Sequence, residues 1–227
     1  MTSSWSSSLT SIFKGSEPSR DQEVSLRTAA ECSAYIQKLD GIGCERELQS
    51  SQESVQEVIA GLRVAIDVTN RNNQKTQESS GYSDDEPLSS EDLCIAALDA
   101  VSRLCEQDYA DRCPVSPGNV VSGIAFDLGN MGATSMVDQL LGLNISASAA
   151  CCFSALRAMS CLIGSVVPRD SRGVVKSNLK HLCSSGSIYR VLKAAMTHLT
   201  VDYNVLLYAL RVTNTIAPEQ GKYYSTV

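Results

Sequence analysis

Apolar residues recur at helical spacing along most of this chain. Residues 22–39 are predicted to form a helix from the spacing of their apolar residues, which are Val24, Leu26, Ala29, Ala30, Tyr35, Ile36 and Leu39. Asp40-Gly41-Ile42-Gly43 follows, and its two glycines predict the end of that helix.

Four further segments align with one another without gaps: residues 54–69, 90–105, 148–163 and 202–217. Each begins with a Ser or Asp, whose side-chain oxygen can accept a hydrogen bond from the free amides of the first helical turn. Seven residues later each has a Gly or Ala followed by Leu, and six residues after that leucine each has Val, Leu or Ile. The predicted N-caps and small-Leu pairs are Ser54 with Gly61-Leu62, Ser90 with Ala97-Leu98, Ser148 with Ala155-Leu156, and Asp202 with Ala209-Leu210.

The shared register predicts a repeated structural unit. A small residue at a fixed place lets a neighbouring helix approach closely, and the leucine beside it fills the space between helices. We therefore expect Leu156 and Leu210 to be buried. Four unrelated amphipathic helices are the alternative, because caps and Ala-Leu pairs are common.

Two of the capped helices have further helices ahead of them. Residues 135–143 and 186–193 are predicted helices that precede the capped segments by a short turn, and residues 119–128 and 173–183 lie further upstream. Each of these later units therefore reads helix, helix, capped helix.

This layout resembles the armadillo repeat. The run from Ser135 to Ile163 is similar to the second helix, turn and third helix of that family, and residues 186–217 are similar in the same places. The resemblance covers residues 119–217 and, in part, residues 22–105. It implies an all-α fold, a right-handed α-solenoid of armadillo-like repeats in a single domain.

The chain departs from the family in three ways. Its units are longer than the usual repeat, and the helix at 90–105 has no evident second helix ahead of it. Peptide-binding members carry an asparagine ladder on the third helix. The corresponding column here holds Asp67, Arg103, Cys161 and Thr215, with Asn214 one place away, so we do not expect ladder recognition of extended peptides.

Polar segments divide the chain. Residues 1–20 contain eight serines and predict a disordered tail, 21–69 are the N-terminal helices, 70–89 are a flexible acidic loop, and 90–227 are the armadillo-like repeats. Within the loop, Ser83 precedes Asp84-Asp85-Glu86, which makes it a candidate acid-directed phosphorylation site.

Composition argues against a nucleic-acid-binding protein, a membrane protein and a disulfide-stabilised secreted protein. The net charge of −6 opposes collection of a nucleic-acid backbone. Residues 139–156 are the least charged stretch, but polar residues interrupt them, so no membrane span is expected. The nine cysteines are irregularly spaced and no signal peptide opens the chain, which favours reduced core thiols in the cytoplasm, or in the nucleus.

Candidate chemistry is sparse. No metal-ligand spacing, phosphate-binding loop or nucleophile motif occurs, and neither metal nor cofactor is expected. An enzyme would require Cys151 or Cys152 to meet His181 across helices. We expect the chain not to be an enzyme.

The expected function is that of an adaptor or scaffold that holds another protein on the solenoid surface. Counted from the caps, one side of the aligned helices carries recurring arginines that could grip carboxylates of an acidic partner segment. Solvation, or pairing within the protein, is the alternative for these arginines. The candidate binding residues are Arg63, Arg103, Arg157, Arg211, Asn204 and Asn214.

Two other interpretations concern the C-terminal part of the chain. The last capped helix is predicted to end ten residues before the C-terminus, with no further repeat over its outer face, which motivates a structural, self-assembling protein as the alternative function: a homodimer or a complex subunit. Ser225-Thr226-Val227 fits a PDZ ligand, or it is an ordinary tail.

Overall fold

A computed structural model describes residues 28–43, 51–78, 90–112, 123–164 and 175–224, and within these ranges the secondary structure is entirely helical. The predicted all-α class is therefore confirmed. The helices are α1 (Ala29–Gly41), α2 (Ser51–Glu78), α3 (Ser90–Arg112), α4 (Gly123–Asn130), α5 (Ala133–Asn144), α6 (Ala149–Ile163), α7 (Lys176–Ser184), α8 (Ser187–His198) and α9 (Tyr203–Tyr224).

Side-chain caps fix the starts of two aligned helices as predicted. The Ser148 hydroxyl accepts a hydrogen bond from the amide of Cys151 at 3.1 Å, and α6 begins at the next residue. The Asp202 carboxylate accepts one from the amide of Asn204 at 2.8 Å at the start of α9. Each side chain satisfies an amide that the helix itself leaves without a partner.

The contacts between helices repeat every three helices. α3 packs against α6, and α6 against α9; α2 packs against α5, and α5 against α8. Within each set of three, the third helix packs against both others, as α3 does against α1 and α2. The set α4–α6 and the set α7–α9 show the same internal contacts. The second and third helices of neighbouring sets therefore lie side by side, and α4 also packs against α7.

Small residues allow close approach between helices. A Cβ at Gly61 of α2 would lie 2.7 Å from Cδ2 of Leu39 on α1, so that the leucine fills the space a side chain would need. A Cβ at Gly129 of α4 would overlap the amide of Asn178 on α7. That amide nitrogen donates to the carbonyls of Ala125 and Leu162 at 2.8 and 2.9 Å and joins α7 to α4 and α6.

The N-terminal helices differ from the sequence prediction. Ser54 does not cap a helix, because α2 begins at Ser51 and continues to Glu78. The predicted loop at 70–89 is therefore wrong for residues 70–78, and residues 79–89 lie outside the described ranges. Residues 70–78 contain neither Gly nor Pro and include Arg, Gln, Lys and Glu, which have high helix propensity.

The extended α2 also differs from the other aligned segments in its contacts. It directly precedes α3, where the sequence shows no evident helix of this kind, and its contacts are not equivalent to those of α3, α6 and α9. Three of the four aligned segments therefore occupy equivalent places. α2 and α3 also pack against each other.

The start of α1 and the end of α9 differ from the sequence prediction. α1 begins at Ala29 and not at residue 22, because Thr28 is extended and forms a capping box with Glu31. α9 continues past residue 217 to Tyr224, with Pro218 inside it. That proline removes one backbone hydrogen bond without ending the helix.

Candidate protein-binding surface

Large exposed apolar side chains concentrate on α8 and α9. Nine are exposed in the described residues, and seven of these lie between residues 189 and 210. They follow one another along α8, through the turn at 199–202 and into α9. We call them the α8–α9 face: Tyr189, Leu192, Met196, Leu199, Val201, Tyr203 and Leu210.

On α8 the exposed residues form a stripe opposite the core. Tyr189, Leu192 and Met196 are three and four residues apart, which places them on one side of a helix with 3.6 residues per turn. Met196 is 80% exposed and Tyr189 75%. The other side of the helix is buried and carries Val191, Ala194, Ala195 and His198.

On α9 the expectation for Leu210 is wrong. Leu156 is fully buried in α6, but Leu210, in the same column of α9, is 50% exposed. The two helices have equivalent neighbours except that α6 also packs against the three helices that follow it, α7, α8 and α9. The face that is covered on α6 is therefore open on α9. The small residues of the column are buried in both helices, as Ala155 and Ala209.

Two exposed cationic residues follow exposed leucines in the sequence. Lys193 follows Leu192 on α8, and Arg211 follows Leu210 on α9; both cations are exposed. The Arg211 guanidinium lies over the ring of Tyr208, 4.8 Å from its centroid. Tyr208 in turn meets Phe153 of α6 edge to face, with centroids 5.4 Å apart. This stack holds the Arg211 guanidinium against an aromatic ring on the exposed side of α9.

Arg157, the equivalent of Arg211 on α6, is paired within the protein. Its Nε and Nη2 donate to the two carboxylate oxygens of Glu106 on α3, at 3.1 and 2.7 Å. These hydrogen bonds raise the pKa of Arg157. The position equivalent to Glu106 on α6 is Gly164, where the helix ends. Within the described residues no carboxylate lies within 4 Å of the Arg211 guanidinium.

Arg103 caps the end of another helix. Its Nη2 donates to the Leu39 carbonyl at 2.8 Å and its Nε to the Ile42 carbonyl at 3.0 Å, both at the C-terminus of α1. The guanidinium thereby satisfies carbonyls that the helix leaves free. Arg103 and Arg157 are therefore paired within the protein, as the alternative interpretation of the arginines has it. Neither presents a free guanidinium to a partner.

The remaining candidate residues are spread over the molecule. Arg63 is exposed on α2, the helix that is not equivalent to the other three. Asn204 and Asn214 are exposed on α9, on the same helix as Arg211. The structure therefore brings together Arg211, Asn204 and Asn214 and separates them from Arg63. Ser83 and Ser225-Thr226-Val227 lie outside the described residues.

The cysteines near the middle of the chain are core residues. Cys151 and Cys152 are buried, and their Sγ atoms lie 3.6 Å from the Glu91 carbonyl and 3.5 Å from the Asn144 carbonyl. A hydrogen bond with Cys94 and burial raise the pKa of Cys151, and burial raises the pKa of Cys152 to about 11. His181 is exposed on α7, and in the part of the chain that the structure describes no hydrogen bond joins it to either thiol.

The described residues also contain no cluster of His, Cys, Asp or Glu suited to hold a metal ion. None of the helices in these ranges combines the length and the apolar character that crossing a bilayer requires. No protein-family model matches the chain, and no significant match was found among curated proteins or solved structures.

The sequence pattern did not indicate the α8–α9 face. Of its seven residues the pattern singled out only Leu210, as a buried residue, and it gave no role to Tyr189, Met196 or Tyr203. A signal was present, because α8 has apolar residues on two opposite sides, and one side suffices to bury a helix against its own domain. The second apolar side of α8 is therefore exposed.

Proposed function

We propose that this chain is a non-catalytic scaffold protein that holds a partner protein on the α8–α9 face. The observation that carries the proposal is the concentration of seven large exposed apolar side chains between residues 189 and 210. A concentration of exposed apolar side chains of this kind is typical of interaction sites, because apolar surface left in water costs free energy that covering by a partner restores.

We further propose that α1–α3, α4–α6 and α7–α9 are three armadillo-like units of a right-handed solenoid. The contacts that repeat every three helices support this arrangement. So do the buried Ala97, Ala155 and Ala209 in one column of the third helices. A stack of such units provides extended surfaces for binding.

Site-specific photo-crosslinking in the native cell tests this function. A photoreactive phenylalanine analogue replaces Met196 on the α8–α9 face in one variant. It replaces Phe126, an exposed apolar residue on α4, in the matched control. We expect discrete crosslinked products with another protein from position 196 and not from position 126. Equal crosslinking from both positions, or none from position 196, would contradict the proposal.

Self-assembly is the second candidate function, because the same apolar face could be covered by another copy. In the crosslinking experiment it predicts a product that contains two copies of this chain and no other protein. Sedimentation of the purified protein would then show a dimer that dissociates on Met196→Glu. A monomer at working concentration contradicts self-assembly and leaves the scaffold proposal standing.

A further inference from the structure

We infer that the occupant of the α8–α9 face is an amphipathic helix of another protein, with an apolar stripe flanked by acidic residues. The inference rests on the proposed scaffold function and specifies the chemistry of the partner. It draws on the geometry of the third helices, on the spacing of the exposed side chains and on the charge around them.

The geometry of α9 suits a helix. Leu98 and Leu156 occupy the same column as Leu210, and both are fully buried. α3 and α6 each pack against a following third helix, and α9 does not do so within the described residues. Since the two equivalent faces are covered by helices, the open face of α9 has the small-residue and leucine pattern that accommodates one.

The exposed residues of α8 extend this surface at helical spacing. Tyr189, Leu192, Met196 and Leu199 are separated by three, four and three residues, the spacing with which apolar residues interlock between packed helices. A partner helix with apolar residues at the same spacing would bury both stripes. Tyr and Met favour such contacts, because they present large surface with adaptable packing.

The charge of this part of the chain is opposite to that of the rest. The segment 175–224 has six lysines and arginines against two acids, whereas the described part of residues 28–112 has six against twelve. The positive side chains of the segment are Lys176, Lys180, Arg190, Lys193, Arg211 and Lys222. Arg190 is bound to Asp138 of α5.

Lys193 and Arg211 are exposed and follow the exposed Leu192 and Leu210 in the sequence. Neither forms an ion pair within the described residues, in contrast to Arg157 with Glu106. A planar guanidinium that is held by an aromatic ring can bind a carboxylate in a bidentate manner. Acidic residues that flank the partner's apolar stripe would therefore complement both cations.

A second copy of this chain fits less well. If two α8–α9 faces met, they would bring Lys193 and Arg211 of one copy toward the same cations of the other, and like charges at an interface are repulsive. A head-to-tail contact would place the α8–α9 face on α1–α3. The described residues of those helices expose no large apolar side chain to meet it.

Selection from a random peptide library tests the inference. The full chain is the bait, and the peptides are about 20 residues long, so that they span about 30 Å when helical. We expect enriched peptides with apolar residues three and four apart and with Asp or Glu alongside, which become helical on binding. Raising the salt concentration should weaken them, because part of the attraction is between exposed charges.

Charge reversal provides the decisive comparison. Lys193→Glu together with Arg211→Glu should weaken the enriched peptides at least tenfold and should turn a repeated selection toward Lys and Arg. The matched control is Lys176→Glu with Lys180→Glu on α7, which makes the same charge change in the same set of three helices. It should leave the affinity for the enriched peptides within about twofold, because exposed charges away from the contact contribute little to binding. Circular dichroism should show that both variants are folded.

Four outcomes would overturn the inference. The first is enrichment of peptides whose apolar residues lack helical spacing, and the second is a peptide affinity that does not change on charge reversal at 193 and 211. The third is a purified dimer that blocks peptide binding. The fourth is no enrichment of peptides while vesicles rich in phosphatidylserine bind through the same residues. Photo-crosslinking from position 196 to a protein without an acidic helix would refute the partner class and leave the scaffold function intact.

Discussion

Leu156 and Leu210 occupy the same column of the aligned helices but have opposite surroundings. Leu156→Ala should lower the free energy of unfolding by about 2–5 kcal/mol, because it removes buried apolar surface and leaves a cavity. Leu210→Ala should lower it by less than about 1 kcal/mol, since the side chain is half exposed. Urea unfolding of both variants measures the difference. Equal losses would show that the α9 face is covered in the free protein.

The sequence predicted the burial of Leu156 but not the exposure of Leu210 for a physical reason. Within a helix the spacing of residues determines which of them share a face. Whether that face is covered depends on a neighbouring helix, and α9 has no following third helix in the described chain. Residue periodicity therefore identifies a face and cannot by itself distinguish a core from a binding surface.

Cys152 should make the stability of the protein depend on alkaline pH. A cysteine in the unfolded chain ionises near pH 9.0, whereas burial raises the pKa of folded Cys152 to about 11. A raised pKa in the folded state means that the stabilisation is present below pH 9 and is lost as the pH rises toward 11. Over that range the wild type should lose about 2 kcal/mol more free energy of unfolding than Cys152→Ala. Parallel pH profiles for the two proteins would contradict burial of this thiol.

At the scale of a single helix, the Ser148 cap both starts α6 and joins it to α3. Its hydroxyl accepts from the Cys151 amide at 3.1 Å and lies 2.7 Å from Oε1 of Glu91 on α3. Ser148→Ala should cost about 1–2 kcal/mol, because it leaves an amide of the first turn without a partner. Ser146→Ala, at an exposed position in the preceding turn, is the control and should change stability by less than about 0.5 kcal/mol. A loss of stability below about 0.5 kcal/mol for Ser148→Ala would show that the cap does not form.

The helices differ in how far the sequence determines their ends. Ser148 and Asp202 were identifiable because a capping side chain marks the first turn chemically. The end of α2 was not, because residues 70–78 are polar enough for a loop and also have the propensity of a helix. Thr28 and Glu31 form a capping box, which is recognisable in the sequence as Thr-x-x-Glu. The sequence prediction placed the start of the helix before this motif, because apolar residues also precede Thr28.

At the scale of the whole molecule, the recurring arginines show that sequence spacing does not determine which side chains are paired within the protein. The aligned column places Arg157 and Arg211 at matching positions of α6 and α9. Their roles diverge because the carboxylate that binds Arg157 comes from the preceding third helix, at Glu106. The corresponding place for Arg211 is Gly164, which provides no side chain. Only the stacking of one helix on another decides which arginine remains available to a partner.

The central claim is that the α8–α9 face is open in the free protein and covered in the native complex. Hydroxyl-radical footprinting tests it directly, because methionine and tyrosine are reactive where water reaches them. In the purified monomer, Tyr189, Met196 and Tyr203 should be labelled strongly; in the complex isolated from native cells they should be protected. Met131, exposed near α4, should be labelled in both. Labelling of Met196 that is the same in the complex as in the free protein would contradict the account.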